Sequence, residues 1–204
     1  MRCKTEVSFR LIITIIVLSV ILTGCKNNEN GAKLLKVTGE VETRSDSGSK
    51  FVKAVQNSTL PVGGAVRTRP ESSADLLLPD NGGIVELKQD SYFEFTENSF
   101  KQNSGTGVYR INPSKKPISV ETPHGITGVI GTVFEVTVSS SSTKVGVSEG
   151  KVRLTSKSGT ERILESGKMM SLDLRGTFSE AETFDNTSNS QKFIKKDNQW
   201  VPAE

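Results

Sequence analysis

Side chains that could perform acid–base, nucleophilic or metal chemistry are sparse in this sequence, which holds one His and two Cys among 204 residues. His124 has no second His with which to bind a metal, so we interpret it as a surface turn residue. The run from Gly146 to Lys151 matches a phosphate-binding loop only in part, because three residues instead of four separate its glycines and Val152 follows the lysine. No G-x-S-x-G motif is present. We expect no catalytic residue, no metal site and no cofactor.

One enzymatic alternative stays open, an envelope enzyme that acts on glycan through paired carboxylates, with Glu86, Asp90 and Glu94 as its candidates. These acidic residues alternate with apolar ones, however, as the outward-facing residues of strands do. Aromatic residues, which a glycan hydrolase would need to line its groove, make up only 6% of the sequence. The residues therefore favour a protein that is not an enzyme.

Cys25 is the residue for which the sequence indicates a definite chemistry. Basic residues precede an uncharged apolar run, LIITIIVLSVIL, at 11–22. A helix that spans a bilayer needs roughly 20 apolar residues, so this run has the length of a signal peptide instead. The segment Leu22-Thr23-Gly24-Cys25 then resembles the bacterial lipobox. That resemblance implies cleavage between Gly24 and Cys25 and acylation of the Cys25 thiol and amino group.

The lipobox resemblance divides the N-terminal region and gives the chain a compartment. Residues 1–24 are expected to be a signal peptide and residues 25–33 an acylated tether, because KNNENGAK is polar and lacks periodicity. The partner of Cys25 is membrane lipid, and several acyl chains anchor a protein durably. By resemblance to enterobacterial sorting rules, an Asp directly after the acylated Cys keeps a lipoprotein in the inner membrane. This sequence has Lys26 at that position, which favours the outer membrane of a bacterial envelope. The mature chain keeps no free thiol and no disulfide.

Residues 34–174 show the alternation and turn chemistry of an all-β domain. Apolar residues recur at every second position, as half-buried strands require, in Val37/Gly39/Val41, Phe134/Val136/Val138, Val145/Val147, Val152/Leu154 and Met170/Leu172/Leu174. Asn, Asp, Ser and Gly separate these runs, for instance at 79–83, 103–105 and 156–159. This spacing predicts about a dozen short strands. Residues 175–204 form a polar C-terminal extension, predicted to be irregular, whose Phe184, Phe193 and Trp200 would cover an edge of the domain.

Several segments in order resemble the FecR domain across residues 34–174. The most specific is VIGTVFEV at 129–136, and VGVSEGKV at 145–152 and LPVGGAVRT at 60–68 are among the segments that accompany it. We take five residues as the structural motif: Gly131, Thr132, Phe134, Glu149 and Gly150. The resemblance implies an extracytoplasmic β-solenoid or β-roll, and Glu149-Gly150 is interpreted as a hairpin turn. It does not by itself imply sigma-factor regulation, because no cytoplasmic or transmembrane part accompanies the domain in this sequence.

The functional hypotheses that follow are non-enzymatic. The leading one is a lipid-anchored envelope protein whose β domain binds an envelope protein or glycan through strand edges or loops. The alternative is a periplasmic signalling module that works with a separate transmembrane regulator. A nucleic-acid partner is not expected, because a net charge of +3 is far below what a nucleic-acid groove requires.

Overall fold

The computed structural model describes residues 31–96, 99–114, 117–185 and 192–203. These residues form 19 strands and no helix, so the all-β class is confirmed. The number of strands exceeds the dozen predicted, because three strands lie beyond residue 174 and two of those before it are only two residues long. No helix that could cross a membrane occurs in the described part of the chain. The narrower form, a solenoid or roll, stays a prediction.

Seventeen strands join into one hydrogen-bonded sheet that folds into two layers. Layer A contains β1 (Ala32–Thr38), β4 (Thr59–Leu60), β6 (Ser73–Leu77), β7 (Gly83–Leu87), β12 (Val133–Val138), β13 (Ser142–Glu149), β16 (Lys168–Asp173) and β17 (Glu182–Thr183). Layer B contains β2 (Val41–Arg44), β3 (Val52–Lys53), β5 (Ala65–Thr68), β8 (Tyr92–Phe95), β10 (Ile118–Glu121), β11 (Gly125–Val129), β14 (Lys151–Ser156) and β15 (Glu161–Glu165).

The long strand β9 (Ser99–Ile111) connects the layers. Its first residues pair with β8 and β10 in layer B, and its last residues pair with β7 and β12 in layer A. Gly105, with φ +77°, bends the strand where it crosses. The turn predicted at 103–105 is therefore a bend inside one strand. The described strands pair antiparallel, apart from the parallel pair of β9 and β10.

The core lies between the layers and follows the predicted alternation. Phe134, Val136 and Val138 are buried on the inner side of layer A. A continuous series of rings runs through this core, with centroids 4.9–6.2 Å apart, in the order Phe93, Phe100, Tyr109, Phe134. The Tyr109 hydroxyl donates a hydrogen bond to Gln102 at 2.7 Å, which satisfies the one polar atom of the series. The few aromatic residues of the chain thus serve mainly the core.

Three details of the predicted pattern are wrong. Gly39 lies in the turn between β1 and β2, with φ +73°, and does not share a strand face with Val37 and Val41. Leu174 follows the end of β16 and is exposed. The C-terminal extension is not irregular in its described part, because β18 (Phe193–Lys196) and β19 (Gln199–Pro202) form a separate hairpin that covers a face of layer A instead of an edge.

Candidate interaction surface

Four side chains meet on the outer face of layer B: Arg44, Phe51, Arg67 and Tyr92, called here the Arg–aromatic cluster. The register of β2, β5 and β8 aligns Glu42, Arg67 and Tyr92 in one row across the three strands. Alternation turns the neighbours of these residues, such as Val66 and Phe93, into the core. Phe51 reaches the cluster from the loop before β3, where its ring lies beside both arginines.

Arg67 is held by a bidentate contact with Glu42. Its Nε donates to Glu42 Oε2 at 2.6 Å, and its Nη2 donates to Glu42 Oε1 at 3.0 Å. This hydrogen-bonded pair lowers the pKa of Glu42 and raises that of Arg67. The Arg67 guanidinium lies 4.1 Å from the centroid of the Phe51 ring, the geometry of a cation–π contact. Both the charge and the orientation of Arg67 are therefore fixed before any partner binds.

Arg44 is held in a similar way from the other side of the cluster. Its Nη2 donates to the Tyr92 hydroxyl at 2.7 Å and lies 3.5 Å from Glu94 Oε2. The Arg44 Nε is buried and has no hydrogen-bond partner. The rings of Phe51 and Tyr92 meet edge to face at 6.2 Å. Arg44 is therefore oriented by a hydroxyl and a carboxylate before any partner binds.

This arrangement suits protein binding. Arg and Tyr are the residue types that most often dominate the binding energy of protein interfaces. Side chains that are already held by ion pairs lose less conformational entropy when a partner docks. Arg67 remains 33% exposed, so a partner can reach it. We therefore take the cluster as the candidate docking surface.

The structure brings most of the predicted motif residues together. Gly131, with φ +64°, and Gly150, with φ +86°, lie in the turns before β12 and β14. A Cβ on Gly150 would lie 2.8 Å from Thr132 Cγ2, so these two turns pack directly on each other. Glu149 ends β13 and pairs with Lys195. The interpretation of Glu149-Gly150 as a hairpin turn is wrong, because β13 pairs within layer A and β14 within layer B, so this turn connects the two layers. Phe134 lies in the core, away from these turns.

The candidate carboxylates of a glycan-acting enzyme do not converge. Glu86 points from the outer face of layer A and pairs with Arg110 at 3.5 Å. Glu94 points from the outer face of layer B and pairs with Arg44, whereas Asp90 lies in the turn between β7 and β8. Glu86 and Glu94 therefore lie on opposite outer faces and do not form the acid–base pair that the glycan hypothesis needed. The described residues contain no cluster of three His, Cys, Asp or Glu that could hold a metal ion.

His124 is buried, which corrects its interpretation as a surface residue. Its Nδ1 lies 2.8 Å from the Thr143 hydroxyl, which donates at 2.9 Å to the Thr122 hydroxyl. Thr122 in turn donates to the Gly125 carbonyl. This chain of hydrogen bonds gives the ring a structural role that the sequence did not show, because Thr143 is distant in sequence. Burial lowers the pKa of His124 from its usual value of 6.5.

We expect His124 to make the stability of the domain depend on pH. The unfolded chain takes up a proton below its ordinary His pKa, near 6.5, and the folded chain does so only at lower pH, so stability is lost as the pH falls through this interval. His124→Asn keeps a polar atom near the Nδ1 position and should remove this dependence. Urea unfolding from pH 7.5 to 5.0 measures it. Parallel loss of stability in both chains would contradict the assignment.

Two predicted site residues, Gly24 and Cys25, lie outside the described residues. Sequence reasoning in turn missed the Arg–aromatic cluster. A signal was present, because Glu42/Arg44 and Tyr92/Glu94 are outward-facing positions of short alternating runs. Only the pairing of β2, β5 and β8 shows that these runs are neighbours.

Comparison with known proteins gives a family match and a fold match. Residues 64–153, less than half of the chain, match the model of the FecR protein family. Two crystal structures of a candidate anti-sigma factor from Parabacteroides distasonis ATCC 8503, at 1.65 Å and 2.50 Å, are similar in fold, each with a TM-score of 0.52 and 18% identity. Each match covers 59% of this chain and 60% of the other. No curated protein matches this chain.

The matched segment contains the motif residues and part of the Arg–aromatic cluster. It includes Arg67 and Tyr92 of the Arg–aromatic cluster and all five motif residues. It excludes Arg44, Phe51 and the C-terminal hairpin. Of the strands that carry the cluster, β5 and β8 therefore lie inside the matched segment and β2 lies outside it.

Proposed function

We propose that this chain is a non-enzymatic regulatory module of the bacterial envelope that acts by binding another protein through the Arg–aromatic cluster. The cluster carries this proposal, because its arginines are oriented by ion pairs and rings on an accessible face. The FecR match and the fold shared with a candidate anti-sigma factor support a signalling role over that of a passive scaffold. The partner in this scheme is a separate transmembrane regulator.

The proposed location follows from the N-terminal sequence. An acyl group on Cys25 would hold the domain at a membrane surface, with the outer membrane favoured by Lys26. The predicted tether at 25–33 ends earlier in the structure, because Ala32 and Lys33 belong to β1, and the shorter tether would hold the cluster near the membrane surface. Anchoring also raises the local concentration of the domain near membrane partners, so a modest intrinsic affinity would suffice.

The test is a charge reversal at the centre of the cluster. Arg67→Glu should weaken partner binding about 30-fold or more, since truncating a dominant interface residue costs about 2 kcal/mol or more. A photocrosslinking residue at Tyr92 should capture one discrete protein in intact cells, and Arg67→Glu should abolish that product. Cells with Arg67→Glu should also show the transcriptional change of cells that lack the protein.

The matched control is Arg153→Glu, which makes the same charge change on the outer face of layer B. Arg153 is 60% exposed and pairs with Glu161 at 3.4 Å, outside the cluster. Arg153→Glu should leave the crosslinked product and the transcription unchanged, and thermal melting should show that both variants are folded. If Arg67→Glu keeps the crosslink, the cluster is not the docking surface. If the crosslink is lost and transcription does not change, the protein is a passive scaffold.

A further inference from the structure

The C-terminal hairpin, β18 and β19, packs on the outer face of layer A as a separate two-stranded sheet. It does not extend either layer by backbone pairing. An isolated hairpin is marginally stable in water, so this one depends on its contacts with the domain. It also lies outside the segment that matches the FecR family. The hairpin is a separate element seated on the domain.

The face beneath the hairpin presents three carboxylates that the hairpin's lysines contact. Lys192 Nζ lies 3.2 Å from Glu86 and 3.8 Å from Asp75. Lys195 pairs with Glu149, at the edge of the same face. We call this face, with its residues Asp75, Glu86, Arg110 and Glu149, the hairpin seat.

Arg110 gives the seat a place for aromatic side chains. Its guanidinium lies 5.1 Å from the ring centroid of Phe193 and 5.9 Å from that of Trp200. In the register of layer A, Ile84 and Val133 lie directly on either side of Arg110. Both are buried although they point away from the core between the layers. The seat thus combines an apolar floor, a cation for aromatic rings and carboxylates for basic groups.

The hairpin leaves parts of the seat unsatisfied. Asp75 Oδ1 is buried without a hydrogen-bond partner, and burial raises the pKa of this carboxyl. The Thr132 hydroxyl is also buried without a partner. Thr132 lines a cavity of about 240 Å³ between Gly131 and the hairpin residues Lys195 and Trp200. A buried polar atom without a hydrogen-bond partner is unfavourable, so an occupant that donates to Asp75 Oδ1 and bonds the Thr132 hydroxyl would satisfy groups that the hairpin leaves unsatisfied.

We propose that the hairpin seat is a second protein-binding surface, which accepts an extended segment of another protein with an aromatic residue between basic ones. The C-terminal hairpin is its built-in occupant and competes with that segment. The chemistry of the segment follows from charge complementarity, because three carboxylates face outward around a cation that stacks on rings. An arginine at the place of Lys192 could engage both Asp75 and Glu86 with its fork of donors. The surface is on layer A, opposite the Arg–aromatic cluster, and is independent of it.

The hairpin can be opened in the full chain by substitutions that touch few other groups. Phe193→Ala with Trp200→Ala removes both rings from Arg110. Lys192→Glu with Lys195→Glu should open the hairpin by charge repulsion from the carboxylates of the seat. These two side chains are 40% and 35% exposed, so we expect this second variant to keep the fold even if the first one melts early. Ile194→Ala is the matched control, because Ile194 is in the same strand and 47% exposed.

The probe is a fluorescent peptide with the sequence of residues 192–203, tested by anisotropy against each full chain. It should bind both opened variants at least tenfold more tightly than the wild type or Ile194→Ala, in which the tethered hairpin occupies the seat. A peptide with Lys192→Arg should bind more tightly still, and one with Lys192→Glu and Lys195→Glu should not bind.

Hydrogen exchange separates the outcomes that would overturn the proposal. Hairpin amides that stay protected in both opened variants would show a fixed part of the fold. If the hairpin amides exchange fast but the peptide does not bind, the seat accepts no external segment. A peptide display library selected on the opened chain should yield aromatic residues flanked by Lys or Arg, and an acidic consensus would contradict the proposed chemistry. A dimer of the opened chain in sedimentation would assign the seat to a second copy instead.

Discussion

Phe134→Ala should destabilise the domain by about 3–5 kcal/mol, the usual cost of truncating a buried Phe. Phe134 is fully buried on the inner face of β12, and its ring stacks on Tyr109 with centroids 4.9 Å apart. The substitution therefore opens a cavity where the two layers meet and leaves Phe100 as the one remaining ring beside Tyr109 in the series. Since a domain has about 5–15 kcal/mol in total, thermal melting should show a decrease on the order of 10 °C.

Thr137→Ala is the control within the same strand. Thr137 is half-buried on the opposite face, where its hydroxyl lies 3.0 Å from that of Thr106. Its loss removes one hydrogen bond and should cost about 1 kcal/mol. Equal melting temperatures for the two variants would mean that β12 does not present Phe134 to the core.

The inward phase of this strand was predictable from local sequence, whereas the burial of its other face was not. Alternation of β-branched and aromatic residues predicted Phe134, Val136 and Val138, and all three are buried. Val133 points to the opposite face from these three residues and is nevertheless buried, with only 7% of its surface exposed. Val133 is buried because it lies in the hairpin seat, which is covered by the C-terminal hairpin, about 60 residues later in the chain. A period in the sequence carries no information about an element that packs from so far away.

The candidate binding surfaces were even less predictable from local sequence than the burial of Val133. The turns at Gly131 and Gly150 could be predicted because positive φ restricts the residue type within a single turn. The Arg–aromatic cluster and the hairpin seat depend on which strands become neighbours and which of their faces stay uncovered. Glu86 and Glu94 look equivalent in the sequence, yet they lie on opposite layers, because β8 pairs with β5 and not with β7. Register across strands decides whether two such carboxylates can cooperate.

Gly83→Ala should prevent the accumulation of folded protein, or destabilise it by more than about 4 kcal/mol. Gly83 begins β7 and pairs with Ile111 of β9. A Cβ on Gly83 would lie 2.0 Å from the Arg110 carbonyl oxygen, and its φ of +116° is one that other residues rarely adopt. The clash is with backbone, so relief requires β7 and β9 to separate in the centre of layer A.

Gly159→Ala separates this clash from the cost of backbone conformation. Gly159 has φ +82°, and no atom lies within 4 Å of the place where a Cβ would stand. Alanine there should cost only about 1–2 kcal/mol, the penalty of a left-handed conformation. Soluble yield and urea midpoints measure both variants. Because Arg110 carries the rings of the C-terminal hairpin, any Gly83→Ala protein that folds should also show faster exchange of the hairpin amides than Gly159→Ala. Equal losses of stability in Gly83→Ala and Gly159→Ala would mean that the backbone φ, and not the close contact between β7 and β9, is why position 83 requires glycine.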